Sequence, residues 1–196
     1  MNKYDSLDEL VNRNNGYLCT AQALELGVSK PTLAKYVEDR GMDRAAHGVY
    51  AAKDAWHDEL YLLQLANSRI IFSHETALML NGLAEREPKE VIVTVKAGYN
   101  ASHLRKKGVR VHQVKPELFE LGETKLKTPF GNTVRAYDAE RTLCDIIRNK
   151  CAMDSQVFGY AVREYMHGRK DLNRLMSYAK ALKVDSEVRI YTEVML

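Results

Sequence analysis

Cysteine and proline are scarce in these 196 residues, tryptophan occurs once, and long apolar runs are missing. Each shortage excludes something. The three cysteines, Cys19, Cys144 and Cys151, stand far apart, form no CxxC and have no histidine at zinc-ligand spacing, which argues against a disulfide framework or a zinc module. Neither a metal nor a cofactor is expected. With 4 prolines and 11 glycines, the chain is not collagen-like or mucin-like. Its apolar stretches, such as Val49-Tyr50-Ala51-Ala52 and Ile70-Ile71-Phe72, fall far below the roughly 20 residues that cross a bilayer. The opening Met1-Asn2-Lys3-Tyr4-Asp5-Ser6 has neither an apolar signal core nor a cleavage site, so the chain reads as cytoplasmic with no membrane partner.

A strong charge of one sign is missing too, because 29 Lys+Arg face 26 Asp+Glu for a net +3. Together with 45% hydrophobic content, this balance excludes disorder and predicts a buried core. Residues 1–57 hold seven basic and eight acidic side chains, 58–135 twelve and nine, and the remainder ten and nine. A nucleic-acid partner must therefore be sought in local clusters rather than in the total.

What is present begins with Ser6-Leu7-Asp8-Glu9, the spacing of a capping box, followed by Leu7, Leu10 and Val11 at helical intervals and a stop at Asn14-Asn15-Gly16. Thr20 is placed to cap a second helix over 21–26, which Gly27 ends. Ser29 is placed to cap a third, with Pro31 in its first turn and Leu33 and Val37 facing inward. Lys30, Thr32, Lys35 and Tyr36 then fall on its other faces. Ala23 allows the second and third helices to approach, so the spacing is that of a helix-turn-helix. The stretch Met42 to Ala51 reads as two short strands around a tight turn, a wing.

The pattern changes after Trp56, which is expected to pack an apolar helix containing Leu60, Leu62, Leu63 and Leu65 onto the wing. Ser73-His74-Glu75 contains the residue types of a hydrolytic triad. Neighbours on a helix point in different directions and no GxSxG accompanies them, so the run reads as a cap and core helix. Strands are expected at Val91–Val95 and Val109–Val114, and a hairpin around Pro129-Phe130-Gly131-Asn132. Between the first two strands lies the densest basic stretch, His103, Arg105, Lys106 and Lys107, with Arg110 following. It reads either as a patch for phosphate or an acidic partner, or as a solvated loop and helix. Asp138 is placed to cap a helix with Leu143, Cys144, Ile146 and Ile147 on one stripe, and further helices run to the carboxyl terminus.

The expected class is α+β: a winged helix-turn-helix over 1–56, then a mixed domain over 57–196 with a small antiparallel sheet and carboxyl-terminal helices. The boundary could fall as late as about residue 90, given how weakly spacing fixes domain edges.

Four ordered segments, Thr20-Ala21-Gln22-Ala23-Leu24-Glu25-Leu26-Gly27-Val28-Ser29, His47-Gly48-Val49-Tyr50, Ser73 to Leu78 with Gly82-Leu83, and Asp138-Ala139-Glu140-Arg141-Thr142-Leu143-Cys144-Asp145, resemble the AbiEi antitoxins over nearly the whole chain. The resemblance implies the antitoxin of a bacterial type IV toxin-antitoxin system acting in abortive infection and phage resistance. Its winged helix would repress its own operon from inverted repeats in the promoter, and its second domain would neutralise a nucleotidyltransferase-like toxin. Ser29, Lys30, Thr32 and Lys35 carry over as the reading helix, and Arg44 and His47 as wing contacts. With Thr20, Tyr36 and Arg40 they make up the expected DNA-binding set. No catalytic residue carries over, so no enzymatic activity is expected. One winged helix covers a half-site and the chain has no heptad run, which predicts a monomer that assembles on double-stranded DNA. The alternative is a stand-alone winged-helix regulator whose second domain binds a ligand or protein partner.

Overall fold

Asn15 and Gly16 adopt φ of 52° and 90°, and helix α1 (Lys3–Arg13) ends just before them. The computed structural model describes residues 3–195; Met1 and Asn2, part of the leader reading above, and Leu196 lie outside the described residues. Ser6 does not open α1, because the helix is already under way at Lys3. Tyr4 packs edge-on against Tyr36 with ring centroids 5.2 Å apart, so the turn before Ser6 has its own apolar anchor.

The chain then makes a short strand, β1 (Tyr17–Cys19), that the sequence pattern does not announce. All three of its residues are buried, so it lacks alternation, and α2 (Thr20–Glu25) follows at once. Cys19 occupies the cap position of α2 and Thr20 is its first helical residue, contrary to the expected Thr20 cap. The Thr20 backbone N–H instead donates to the Gly48 carbonyl at 2.8 Å. Gly27, at φ 74°, turns the chain into α3 (Lys30–Asp39). Strands β2 (Asp43–Ala46) and β3 (Val49–Ala51) form the expected hairpin, and β1 completes an antiparallel sheet of order β1-β3-β2. The core between helices and sheet is Leu7, Leu10, Leu18, Ala23, Val28, Leu33, Tyr36 and Met42.

Helix α4 (Glu59–Ala66) also belongs to this first unit, which reaches Ser68 and takes in Lys127–Thr133. Its end at Ser68 lies between residue 56 and the later limit near 90, and Asp58 ties α4 into the unit. Its Oδ1 accepts from the Tyr61 backbone N–H and caps α4, while its Oδ2 accepts from Thr128 Oγ1 at 2.6 Å and Asn132 Nδ2 at 2.8 Å. One buried carboxylate ties the start of α4 to the 127–133 stretch, which neither periodicity nor composition reveals. Trp56 does not pack α4 onto the sheet: it is 76% exposed, and Tyr17, Val49 and Leu62 make that contact.

The second unit covers Arg69–Leu126 and residues from Val134 on. Its strands are β4 (Ile71–Phe72), β5 (Ile92–Lys96), β6 (Arg110–Val114), β7 (Glu123–Lys127) and β8 (Thr133–Tyr137), in the order β6-β5-β4-β8-β7. This sheet is mixed, which corrects the expected small antiparallel one. β4 runs antiparallel to β5, but β5 pairs parallel with β6 and β4 parallel with β8. The physical reason is the crossover through α6 (Ser102–Arg105): a connection of that length lets β6 return in the direction of β5. Helix α5 (His74–Leu80) lies between β4 and β5, and α7 (Pro116–Phe119), a turn the sequence reading missed, precedes β7.

Four helices complete the unit: α8 (Ala139–Arg148), α9 (Ser155–His167), α10 (Leu172–Leu182) and α11 (Asp185–Met195). Asp138, Asp154 and Asp171 cap the first three by accepting from backbone N–H groups of Arg141, Gln156 and Arg174. Leu143, Cys144, Ile146 and Ile147 of α8 meet Leu175, Ala179 and Leu182 of α10 in the main core, as their stripes predict. Burial there pushes the Cys144 thiol up to about 12, so it stays protonated and acts as a core residue. Among the described residues, no helix is long and apolar enough to cross a membrane.

Candidate nucleic-acid interface

Helix α3 begins where Ser29 caps it, as its spacing predicts. The Ser29 Oγ accepts from the Thr32 backbone N–H at 3.4 Å and lies 2.8 Å from the Thr32 hydroxyl. Pro31 costs no helical hydrogen bond in that first turn. Lys30 and Lys35 are exposed, and no ion pair among the described residues includes either. An open cleft of about 520 Å³ runs along this face, lined by Tyr4, Pro31, Thr32, Lys35 and Asp39. Tyr4 and Asp39 were not anticipated; the Tyr4 hydroxyl donates to Asp39 Oδ2 at 2.8 Å. Tyr4 lies one helical turn before Asp8, so carrying the α1 stripe back past Ser6 would have found it.

Tyr36 is a correction. The spacing places it on an outer face, but it is 1% exposed, and its hydroxyl donates to Asp8 Oδ1 at 2.6 Å. Burial and that hydrogen bond hold its ionisation well above the usual tyrosine range. It repeats three residues after Leu33 and therefore shares the inward stripe. Arg40 stays exposed, but its guanidinium donates to Asp8 Oδ2 at 2.5 Å and sits 5.6 Å from the Tyr36 ring centroid. Its charge is committed to α1, unlike those of Lys30 and Lys35.

The hairpin supplies a second element. Arg44 and His47 are both exposed, on β2 and in the turn after it, with Arg44 Nη2 3.3 Å from His47 Nδ1. Gly48, at φ 69°, makes that turn possible. Thr20, half-buried, is close to it: its side chain lies 3.7 Å from where a Gly48 Cβ would be.

In the second unit, His103 and Arg105 sit on α6 and Lys106 and Lys107 on the turn after it, all four exposed. The His103 ring meets Tyr99 edge-on at 6.1 Å. Arg110 does not join them as a free charge, because its guanidinium is paired with Glu90. The expected patch is therefore one short helix and turn, without Arg110.

The Ser73-His74-Glu75 run holds no catalytic triad geometry. His74 Nδ1 is 3.1 Å from Ser73 Oγ, Ser73 Oγ accepts from Thr94 Oγ1 at 2.9 Å, and the His74 ring stacks on His112 at 3.8 Å. Burial, then the neighbouring His112, Arg141 and Arg110, lower the His74 pKa to about 3. Ser73 makes no cap hydrogen bond to α5, so the cap reading of that residue fails while the core reading of the helix holds.

No protein-family model matches this chain, and no curated protein matches it. It is similar in structure to the crystal structure of the RV2827C protein from Mycobacterium tuberculosis, with a TM-score of 0.54 and 15% identity over 95% of this chain and 78% of that one. The likeness is one of fold. It supports a mixed α and β fold and carries no activity with it.

Proposed function

We propose that the first unit is a winged helix-turn-helix and that the chain is a non-enzymatic, sequence-specific DNA-binding repressor of its own operon. The observation that carries this reading is the Ser29-capped α3 with Lys30 and Lys35 exposed on it, in the same unit as a hairpin whose Arg44 and His47 are exposed. A helix of this size enters a major groove, its amino-terminal side chains reach base edges, and lysines beside it neutralise phosphates. Thr32 is the candidate for base contact and Lys30, Lys35 and Arg44 for phosphate contact. Thr20 stands at the start of α2 beside the turn, where its hydroxyl can meet the backbone.

On the AbiEi resemblance, the operon is a type IV toxin-antitoxin pair. The second unit then counters a nucleotidyltransferase-like toxin in the cytoplasm, with the exposed Arg105, Lys106 and Lys107 as its candidate contact surface. Footprinting on the promoter should show two protected half-sites in an inverted repeat, each taken by one copy. A single unpaired site would contradict this. Cells expressing the toxin should be rescued by a chain carrying alanine at Ser29, Lys30, Thr32 and Lys35. Loss of rescue by that variant, folded and abundant, would mean that repression and neutralisation are one activity.

A further inference from the structure

The second unit contains a cavity of about 190 Å³, lined with Glu75 from α5, the loop after it, Ile92 and Arg110 from the sheet, and Val157 from α9. Ala84, Pro88, Ile92 and Val157 give it alkyl walls. Most of the charge around it is committed. Arg86 Nη2 donates to Asp154 Oδ2 at 2.7 Å, and Arg110 is paired with Glu90. Glu75 is different: its Oε2 is buried and has no hydrogen-bond partner among the described residues. With the two ion pairs set aside, the lining leaves the carboxylates of Glu75 and Glu87 against the single ammonium of Lys89.

A buried acceptor without a donor costs about 1–3 kcal/mol, and more when it is charged. Rotation of a terminal carboxylate is soft, so Glu75 can present that oxygen to a guest in the cavity. We infer that this cavity is a binding site for a small organic cation, a short alkyl chain ending in an ammonium or guanidinium group that donates to Glu75. The alkyl walls match the chain, and the surplus carboxylate matches the head. A guest anion would meet the two carboxylates of Glu75 and Glu87 with only the Lys89 ammonium in its favour, because Arg86 and Arg110 are held by their own carboxylates. The volume lies below the roughly 300 Å³ at which drug-sized pockets begin, which limits the guest to a few carbon atoms and a head group. The site is independent of the DNA-binding reading and stands or falls without it.

The test titrates the full chain with n-butylguanidinium, n-butylammonium, butyrate and n-butanol while recording backbone amide NMR shifts. Both cations should give saturable shifts at residues 84–92 and 152–157, and butyrate and butanol should give none. Glu75→Gln should weaken the cations by about tenfold or more, the loss of one charge-assisted hydrogen bond. Ala84→Leu, which fills the cavity and keeps Glu75, should abolish binding and decides the matter if Glu75→Gln does not fold. Butyrate binding as tightly as the cations, cation binding unchanged in the folded variants, or no saturable shift with either cation would overturn the inference.

Discussion

In the first unit the cations at the front of α3, Lys30 and Lys35, stand in solvent outside any ion pair, whereas in the second the guanidinium of Arg141 is fully buried. Arg141 donates through Nε to Asp145, through Nη1 to the carbonyls of Leu118 and Leu121 at 2.7 Å each, and lies 4.1 Å from the Tyr137 ring centroid. Gly122 gives way to it: a Cβ there would sit 2.4 Å from Arg141 Cβ. The same kind of charge thus has opposite uses. A buried cation with fixed partners holds a loop to a helix, and an exposed cation without partners is free to meet a phosphate. Stability variants and binding variants should therefore separate between the units.

The largest effect tests the buried side. Arg141→Met removes the partner of Asp145 and strands two carbonyls, and should cost about 3–5 kcal/mol, read by urea unfolding. A loss below 1 kcal/mol would mean that Arg141 does not hold the 118–122 loop. Next comes pH. His74 is held neutral by burial, with a folded pKa of about 3 below its ordinary 6.5. Its contribution is complete above the unfolded value and is lost as pH falls toward 3, because the unfolded chain binds the proton first. Between pH 7.5 and pH 5 the second unit should lose about 2 kcal/mol through this group. The lowered His112 acts in the same direction. His74→Asn tolerates the φ of 50° and should flatten the profile by that amount; an identical profile would remove His74 from the account.

The smaller effects fall in the first unit. Ser29→Ala removes the cap of α3 and should cost about 1 kcal/mol, visible as a few degrees in Tm. Lys30→Ala and Lys35→Ala should change stability by less than about 0.5 kcal/mol, as exposed residues without partners do. A larger loss from either lysine would show that these charges are structural, and the comparison between the units would fail.

What was legible in the sequence follows the range of the interaction. The Ser29 cap, the Gly27 turn, the hairpin at His47-Gly48 and the stripes of α8 and α10 are local, and each is set by residues a few positions apart. The inward turn of Tyr36 and the ion pair of Arg40 are reinforced from a distance, since Asp8, far away in the chain, takes the hydroxyl of one and the guanidinium of the other. The joining of Lys127–Thr133 to the first unit is non-local too, since Asp58 links Tyr61 to Thr128 and Asn132. The parallel pairs of β5 with β6 and β4 with β8 are likewise non-local, and an alternating strand pattern does not record its neighbour's direction. Trp56, expected to pack α4 onto the wing, stays in solvent because Tyr17 and Leu62 already fill that place.

The proposed DNA-binding role of the exposed α3 face has to be separable from the fold. Its most direct test is fluorescence anisotropy on the upstream promoter fragment, for the parent chain and for the Ser29/Lys30/Thr32/Lys35 quadruple alanine variant, across a salt series with unfolding measured in parallel. The variant should stay folded, lose most of its affinity, and show a shallower salt slope by about two, one for each lysine–phosphate contact removed. A folded variant that binds the fragment with the parent's affinity and salt slope would contradict it.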